Sequence, residues 1–378
     1  MRTRFQDLFD TQPIVARSPG RINFIGEHTD YNNGFVMPAA IDRHIVAAVD
    51  FSMDSHCTLY SAKHNEFFSF HTTDPARVKS PQWANYLLGV VKKFSEEGYA
   101  VKAFNCVIDG DVPTGAGLSS SAALECSFAF ALNHLHGFNI PKFKLIHIAQ
   151  WAEHNYAGVM CGIMDQFASA MGMQGNAFVL DCRSLEYRYF PVELSETSII
   201  LCDSMVKHSL ASSEYNTRRR ECEEGVSIIR KYYPEVNSLR DATMQMLEGH
   251  VSAFPRKVYD RCSYVIQENK RVLDASKDLD NRDLVSFGKK MYQTHDGLSG
   301  LYEVSCEELD FLVEQAKEMP GVIGSRMMGG GFGGCTINLV SKKASEEFVK
   351  KITEAYHQQY KVEMNIYDVS LTDGTNLV

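Results

Sequence analysis

Pro113-Thr114-Gly115-Ala116-Gly117-Leu118-Ser119-Ser120-Ser121-Ala122-Ala123 lies between an apolar strand pattern, Val101 to Ile108, and an apolar helical pattern, Ser119 to Leu135. Its two glycines let the backbone approach a ligand closely, and its three serines gather hydroxyls and unpaired helix-start N–H groups at one point. A tight turn with an ordinary helix cap would also explain a bare G-x-G. The serine run and the preceding strand favour an anion cradle. This is no Walker A loop, because the chain has no G-x-x-x-x-G-K, and no Rossmann fingerprint, because Ser120 stands where the third glycine belongs.

Before this loop, short apolar runs at Ile14 to Ala16, Ile45 to Val49, Thr58 to Ser61 and Glu66 to Phe70 predict strands. One helix interrupts them, with Tyr86, Leu87, Val90, Val91 and Phe94 at helical spacing before Gly98. After the loop, a helix is expected over Lys142 to Tyr156 and a strand over Ala177 to Leu180. Amphipathic stretches then prevail, at Ser212 to Tyr232, Tyr264 to Ala275, Asp283 to His295 and Glu307 to Glu318. A Gly-rich segment, a strand over Thr336 to Val340, a helix near Ala344 to Tyr360 and a strand near Asn365 to Val369 complete the chain. Strands and helices alternate too irregularly for a doubly wound parallel sheet, so an α+β architecture is expected. At roughly 100 to 200 residues per domain, 378 residues predict two lobes, divided as 1–188 and 189–378.

Composition narrows the function classes. With 44% hydrophobic and 22% charged residues the chain can bury a core and is not of the disordered class. A net charge of −9 opposes general affinity for nucleic acid or anionic membrane, so an anionic ligand would need a local site. The ten cysteines contain no C-x-x-C pair, which argues against a zinc knuckle or dithiol redox motif and for reduced thiols in the cytoplasm. No signal segment and no membrane span are expected.

Three further segments carry chemistry. Pro19-Gly20-Arg21-Ile22-Asn23-Phe24-Ile25-Gly26-Glu27-His28-Thr29-Asp30-Tyr31-Asn32-Asn33-Gly34 crowds polar groups into an apolar neighbourhood. It reads either as a solvated loop or as a set of carboxylates and a histidine that accept hydrogen bonds from one small polyol, with Arg21 as a fixed cation beside them. Gly162-Ile163-Met164-Asp165-Gln166-Phe167 places a carboxylate twelve residues after Glu153; it could be a cap or structural acceptor, or two acids with separate jobs. Gly324-Ser325-Arg326-Met327-Met328-Gly329-Gly330-Gly331-Phe332-Gly333-Gly334 permits either a close crossing of backbones or close approach to phosphate.

Together these segments resemble the GHMP small-molecule kinases, and Gly20 to Tyr31 resembles the galactokinase family in particular. The resemblance continues through Trp83 to Tyr86, Cys161 to Gln166, Leu180 to Leu185, Leu210 to Arg220 and Gly329 to Thr336. It implies a two-lobed fold, an N-terminal lobe like the second domain of ribosomal protein S5 and a ferredoxin-like C-terminal lobe, with the active site between them. It further implies ATP-dependent phosphorylation of D-galactose at C1, the entry step of Leloir galactose metabolism, with Mg2+. Gly115, Ala116, Gly117, Leu118, Ser119, Ser120 and Ser121 would wrap the ATP phosphates, with Ser61 and Trp83 near the nucleotide. Ser121 and Glu153 would contact magnesium. Glu27, His28, Thr29, Asp30, Gly162 and Tyr215 would line the sugar pocket; Asp165 would face the C1 hydroxyl, and Arg21 would lie between Asp165 and the γ-phosphate.

The chain departs from the family at Met328, where a threonine is usual, and at Leu298-Ser299-Gly300-Leu301-Tyr302, which replaces a more polar run. Two alternatives share the resemblance: a kinase for N-acetylgalactosamine, and a sugar- and ATP-binding sensor that signals through a partner. The sensor could dispense with Ser121 or Asp165, and both are present. No obligate protein partner is expected.

Overall fold

A computed structural model describes residues 1–192, 194–206 and 211–378. Leu210, which opens one of the segments that resemble the galactokinases, lies outside the described residues.

In chain order the first half comprises α1 (Arg2–Phe9), β1 (Ile14–Asn23), β2 (Phe35–Val36), β3 (Pro38–Phe51), β4 (Cys57–Ser61), β5 (Glu66–Phe70), α2 (Gln82–Glu96), β6 (Phe104–Gly110), α3 (Ser120–His136), α4 (Lys142–Ala152), α5 (Met164–Met171), β7 (Asn176–Asp181) and β8 (Tyr187–Pro191). The second half adds β9 (Thr197–Asp203), α6 (Ala211–Ile229), α7 (Met244–Glu248), α8 (Arg256–Asp280), α9 (Leu284–Gly300), α10 (Glu307–Glu318), β10 (Val322–Met327), β11 (Cys335–Ser341), α11 (Ser345–Tyr360), β12 (Asn365–Val369) and β13 (Asn376–Leu377).

Three sheets organise these elements: six strands in the order β13-β1-β3-β6-β4-β5, four in the order β10-β11-β9-β12, and three in the order β2-β7-β8. Every pairing is antiparallel except β4 with β6. The large sheet packs Val49, Leu59, Phe104 and Cys106 against Leu87, Val91, Phe128 and Ile148 of the helices α2, α3 and α4. Across the four-stranded sheet, alternate residues of β9 enter different cores. Ile199 and Leu201 meet Phe287 and Met291 of α9, while Ile200 and Cys202 meet Leu312 of α10 and Ile352 of α11. A strand buried on both faces reads as a continuous apolar run.

One core contains residues of both halves, joining Ile22, Phe24 and Ile25 to Ile337, Leu339 and Met328. Residue 188 falls inside β8, which pairs with β7, and the chain's last strand, β13, returns to pair with β1.

The join is also polar. Arg326, on β10, is fully buried and donates from Nε to the Phe24 carbonyl at 2.8 Å and from Nη2 to Glu27 Oε1 at 3.0 Å, as well as to the Asn23 carbonyl. Glu27, 1% exposed, also accepts from Asn23 Nδ2 and from the Gly329 amide, each at 2.7 Å. Removing one member of a buried ion pair leaves the other charge uncompensated. Arg326→Met should therefore cost about 3–5 kcal/mol of unfolding free energy, seen as a lower urea midpoint at an unchanged m-value. A loss below about 1 kcal/mol would show that the pair is not needed to join the halves.

Candidate active site

Arg21 reaches the site because β1 shifts register against β3 between Pro19 and Arg21, and such an irregularity re-aims a side chain. Its guanidinium grips Asp165 with two parallel bonds, Nε to Oδ1 at 2.8 Å and Nη2 to Oδ2 at 2.9 Å, and Nη1 donates to the Gly117 carbonyl. Asp165 sits in the first turn of α5, where the helix dipole favours an acid. Ser119 donates to Asp165 Oδ2 at 2.6 Å, so the hydroxyl before α3 is not spent on capping the helix. The first amides of α3 keep no side-chain cap, the arrangement that binds anions.

Next to this pair, Ser121 donates to Glu153 Oε1 at 2.9 Å. Glu153 opens a π-helical turn, Glu153–Ala157, at the end of α4, and Gln166 Nε2 donates to its second oxygen at 2.6 Å. Gln166 also donates to Glu125, a fully buried carboxyl on α3. Burial, then the neighbouring Asp165 carboxylate, pushes Glu153 up to about 7. Asp30 is pushed to about 7 by the same two causes in the same order. Burial raises Glu125 well above the ordinary carboxylate range, with the Glu153 charge adding to the effect. Arg21 is the cation among these acids, and three of its five N–H donors are engaged among the described residues.

Two cavities flank this centre. The first, about 100 Å³, is lined by Arg21, Glu27, His28, Asp30, Asp165 and Tyr215, among others. The second, about 150 Å³, is lined by Ser61, Lys63, Trp83, Tyr86, Ser120 and Ser121, among others. Most residues expected in a site from the sequence thus converge on two adjoining spaces.

Some sit there differently. Thr29 turns inward, bonding the carbonyls of Gly26 and Phe35 at 2.8 and 2.6 Å, and closes the loop without lining the cavity. Gly162 packs its Cα beside Asp30; an added Cβ would fall 2.0 Å from Asp30 Oδ2, so only glycine leaves that carboxyl in place. Ala116 and Leu118 bury their side chains in the joint core and can offer a ligand only backbone. Glu27 lines the cavity while bound to Asn23, Arg326 and Gly329.

The segment 324–334 begins as strand β10, and its glycines serve a close crossing: a Cβ on Gly329 would lie 3.2 Å from the Gly117 carbonyl oxygen. Met328 is buried in the core. Gln166, Glu125, Tyr31 and Tyr302 were not assigned from the sequence, although Gln166 adjoins Asp165 within the quoted segment.

Among the described residues no group of three or more His, Cys, Asp or Glu could by itself hold a metal ion, and no helix is long and apolar enough to cross a membrane.

Residues 3–51 match the galactokinase galactose-binding signature, residues 85–173 the N-terminal domain of GHMP kinases and residues 275–358 their C-terminal domain. The chain is 40% identical over 363 residues to a galactokinase of Thermotoga neapolitana, covering 96% of this chain and 99% of the relative. It is 38% identical to one from a Roseiflexus species, covering 100% and 96%. The structure superimposes on that of Lactococcus lactis galactokinase complexed with galactose with a TM-score of 0.95, at 32% identity over 99% and 98% of the two chains. A mevalonate kinase of Methanococcus jannaschii shares the fold at a TM-score of 0.69 and 15% identity, covering 96% and 99%. The two-lobed α+β architecture is that of the GHMP kinases, and the chain belongs to their galactokinase family.

Proposed function

We propose that the paired cavities hold galactose and ATP, and that Arg21 and Asp165, between them, carry the transfer of the γ-phosphoryl group to the sugar's C1 hydroxyl. The reaction is that of the family, ATP-dependent phosphorylation of galactose to galactose 1-phosphate and ADP. The observation that carries the assignment of roles is the bidentate Arg21–Asp165 pair, bonded to the Gly117 carbonyl of the phosphate loop and lining the cavity that contains His28, Asp30 and Tyr215.

Phosphoryl transfer asks a protein chiefly for alignment and charge neutralisation. Asp165 accepts the C1 hydroxyl proton as the O1–phosphorus bond forms and the bond to the bridging oxygen of ADP breaks. The two N–H groups of Arg21 not engaged elsewhere offset charge on the γ-phosphate, and the uncapped amides of α3 hold the other phosphates. Ser61, Trp83 and Tyr86 line the side where the nucleotide base would lie.

Ser121 and Glu153 offer two hard oxygen donors side by side, in a site whose acids outnumber its cations. That donor set suits Mg2+, which takes one or two carboxylate or hydroxyl ligands and completes its shell with phosphate and water. When bound, the ion neutralises phosphate charge. Ten free cysteines fit a reducing cytoplasm.

A coupled ADP assay over a sugar panel tests the activity, with galactose the expected substrate and glucose a poor one. Asp165→Asn, nearly isosteric, should bind galactose normally and lose about 10²- to 10⁴-fold in kcat; near-normal kcat would remove Asp165 from proton transfer. Ser121→Ala and Glu153→Ala should each raise the Mg2+ needed for half-maximal rate roughly 10- to 100-fold while the galactose KM moves little. Unchanged magnesium titrations would show that the ion is held elsewhere.

Asp30 gives a pH signature in the sugar-free protein. Its proton is held up to about pH 7 in the folded state against 3.8 when unfolded, so its stabilising effect is complete below pH 3.8 and is lost as pH rises to 7. Asp30→Asn suffers no such loss. Its stability relative to the unaltered protein should therefore rise between pH 4 and pH 7, by at most about 4 kcal/mol, and level off above. A difference that does not vary with pH would mean that Asp30 is ionised throughout.

A further inference from the structure

His28 stands in the left-handed region at φ 62°, is 4% exposed, and lines the cavity assigned above to the sugar. Its Nε2 has no hydrogen-bond partner among the described residues. The other ring nitrogen is not free. Nδ1 lies 2.7 Å from the Tyr31 hydroxyl, that hydroxyl lies 2.8 Å from the Tyr302 hydroxyl, and the latter lies 3.1 Å from Cys222 Sγ. Tyr302 and Cys222 are both fully buried. The four groups form one column from the core to the cavity, supplied by three stretches of chain far apart in sequence, because His28 and Tyr31 share one loop.

We propose that the column Cys222–Tyr302–Tyr31 is a positioning relay that holds His28 in its Nε2–H tautomer, so that the ring meets the sugar as a hydrogen-bond donor. This inference rests on the reading of the cavity as the galactose site. Burial depresses His28 to about 3, so the ring is neutral at physiological pH and carries one proton. A neutral imidazole has one donor and one acceptor nitrogen, and its partner decides which is which.

With the column running from Cys222 towards His28, every proton has an acceptor. The thiol donates to Tyr302, Tyr302 to Tyr31, and Tyr31 to the Nδ1 lone pair. The Nε2 proton then points into the cavity that His28 lines. Reversing the direction would turn the Nε2 lone pair into the cavity and leave the weak thiol donor to find another acceptor. The cavity's other reading groups, Asp30 and Asp165, accept when ionised. A sugar hydroxyl has one proton to give and lone pairs to receive, so one that donates to a carboxylate can accept from His28. A fixed donor therefore complements the acids, and a ring free to change tautomer would not.

The test is ¹⁵N NMR of the imidazole, in which protonated and unprotonated ring nitrogens have well-separated shifts, combined with galactose binding and turnover. The sugar-free protein should show a protonated Nε2 and an unprotonated Nδ1 for His28 across pH 5 to 8. Tyr31→Phe should mix or reverse the two tautomers and raise the galactose Kd about tenfold, with kcat falling much less. Tyr302→Phe, which keeps the ring packing, should give a smaller change in the same direction, and Cys222→Ser, which keeps a donor, should preserve the tautomer. A protonated Nδ1 in the unaltered protein, or an unchanged tautomer in Tyr31→Phe, overturns the relay. A changed tautomer with unchanged galactose Kd overturns its role in reading sugar. Failure of the unaltered protein to bind galactose overturns instead the site reading on which the relay rests.

Discussion

The arrangement depends on one buried charge pair. Arg326 extends from the second sheet into the turn after β1 and meets Glu27 there, where neither side chain touches solvent appreciably. Burying two charges costs several kcal/mol per ion unless nearly every donor and acceptor finds a partner. Here the surrounding carbonyls of Phe24, Asn23 and Met327, the Asn23 amide and the Gly329 N–H supply them. The partners come from both ends of the chain, so the pair is satisfied only when the two halves are docked. The loop carrying His28 and Asp30 is thus shaped by a residue some three hundred positions away.

The same docking sets the phosphate loop. Gly329 and Gly117 approach so closely that side chains there would press on the facing backbone, and the Gly117 carbonyl is held by Arg21. The Gly-rich segment needs no direct contact with nucleotide to matter. By crossing behind the loop it fixes the height at which the α3 amides and Ser120 and Ser121 stand. The site is therefore built from a sheet irregularity at Arg21, a helix start at Ser120 and a distant backbone crossing.

Much of this was legible in the sequence. Helix α10 occupies the expected residues, and the expected strands and the one expected helix of the first third are present, whereas α1 and β2 there had no apolar pattern to announce them. Periodicity failed where burial is two-sided: Ile199-Ile200-Leu201-Cys202 shows no alternation because both faces of β9 are covered. β10 was hidden by the glycines after it, and α5 is only eight residues long. The acids and Arg21 announced themselves by crowding charge into apolar surroundings. Arg326, Tyr302 and Cys222 did not, because each acts on a residue remote in sequence, and no local pattern records a partner 271 or 299 residues away.

The crowding of acids has its own logic. Glu125, Glu153, Asp165 and Asp30 lie in one buried region, and the burial that raises three of them would ordinarily be a liability. A site that must hold a triphosphate cannot meet it with bare carboxylates, since like charges repel. Each acid therefore has to be protonated, bound to Arg21 or turned towards an added cation. Asp165 takes the second course, and the Glu153 oxygen beside Ser121 is available for the third.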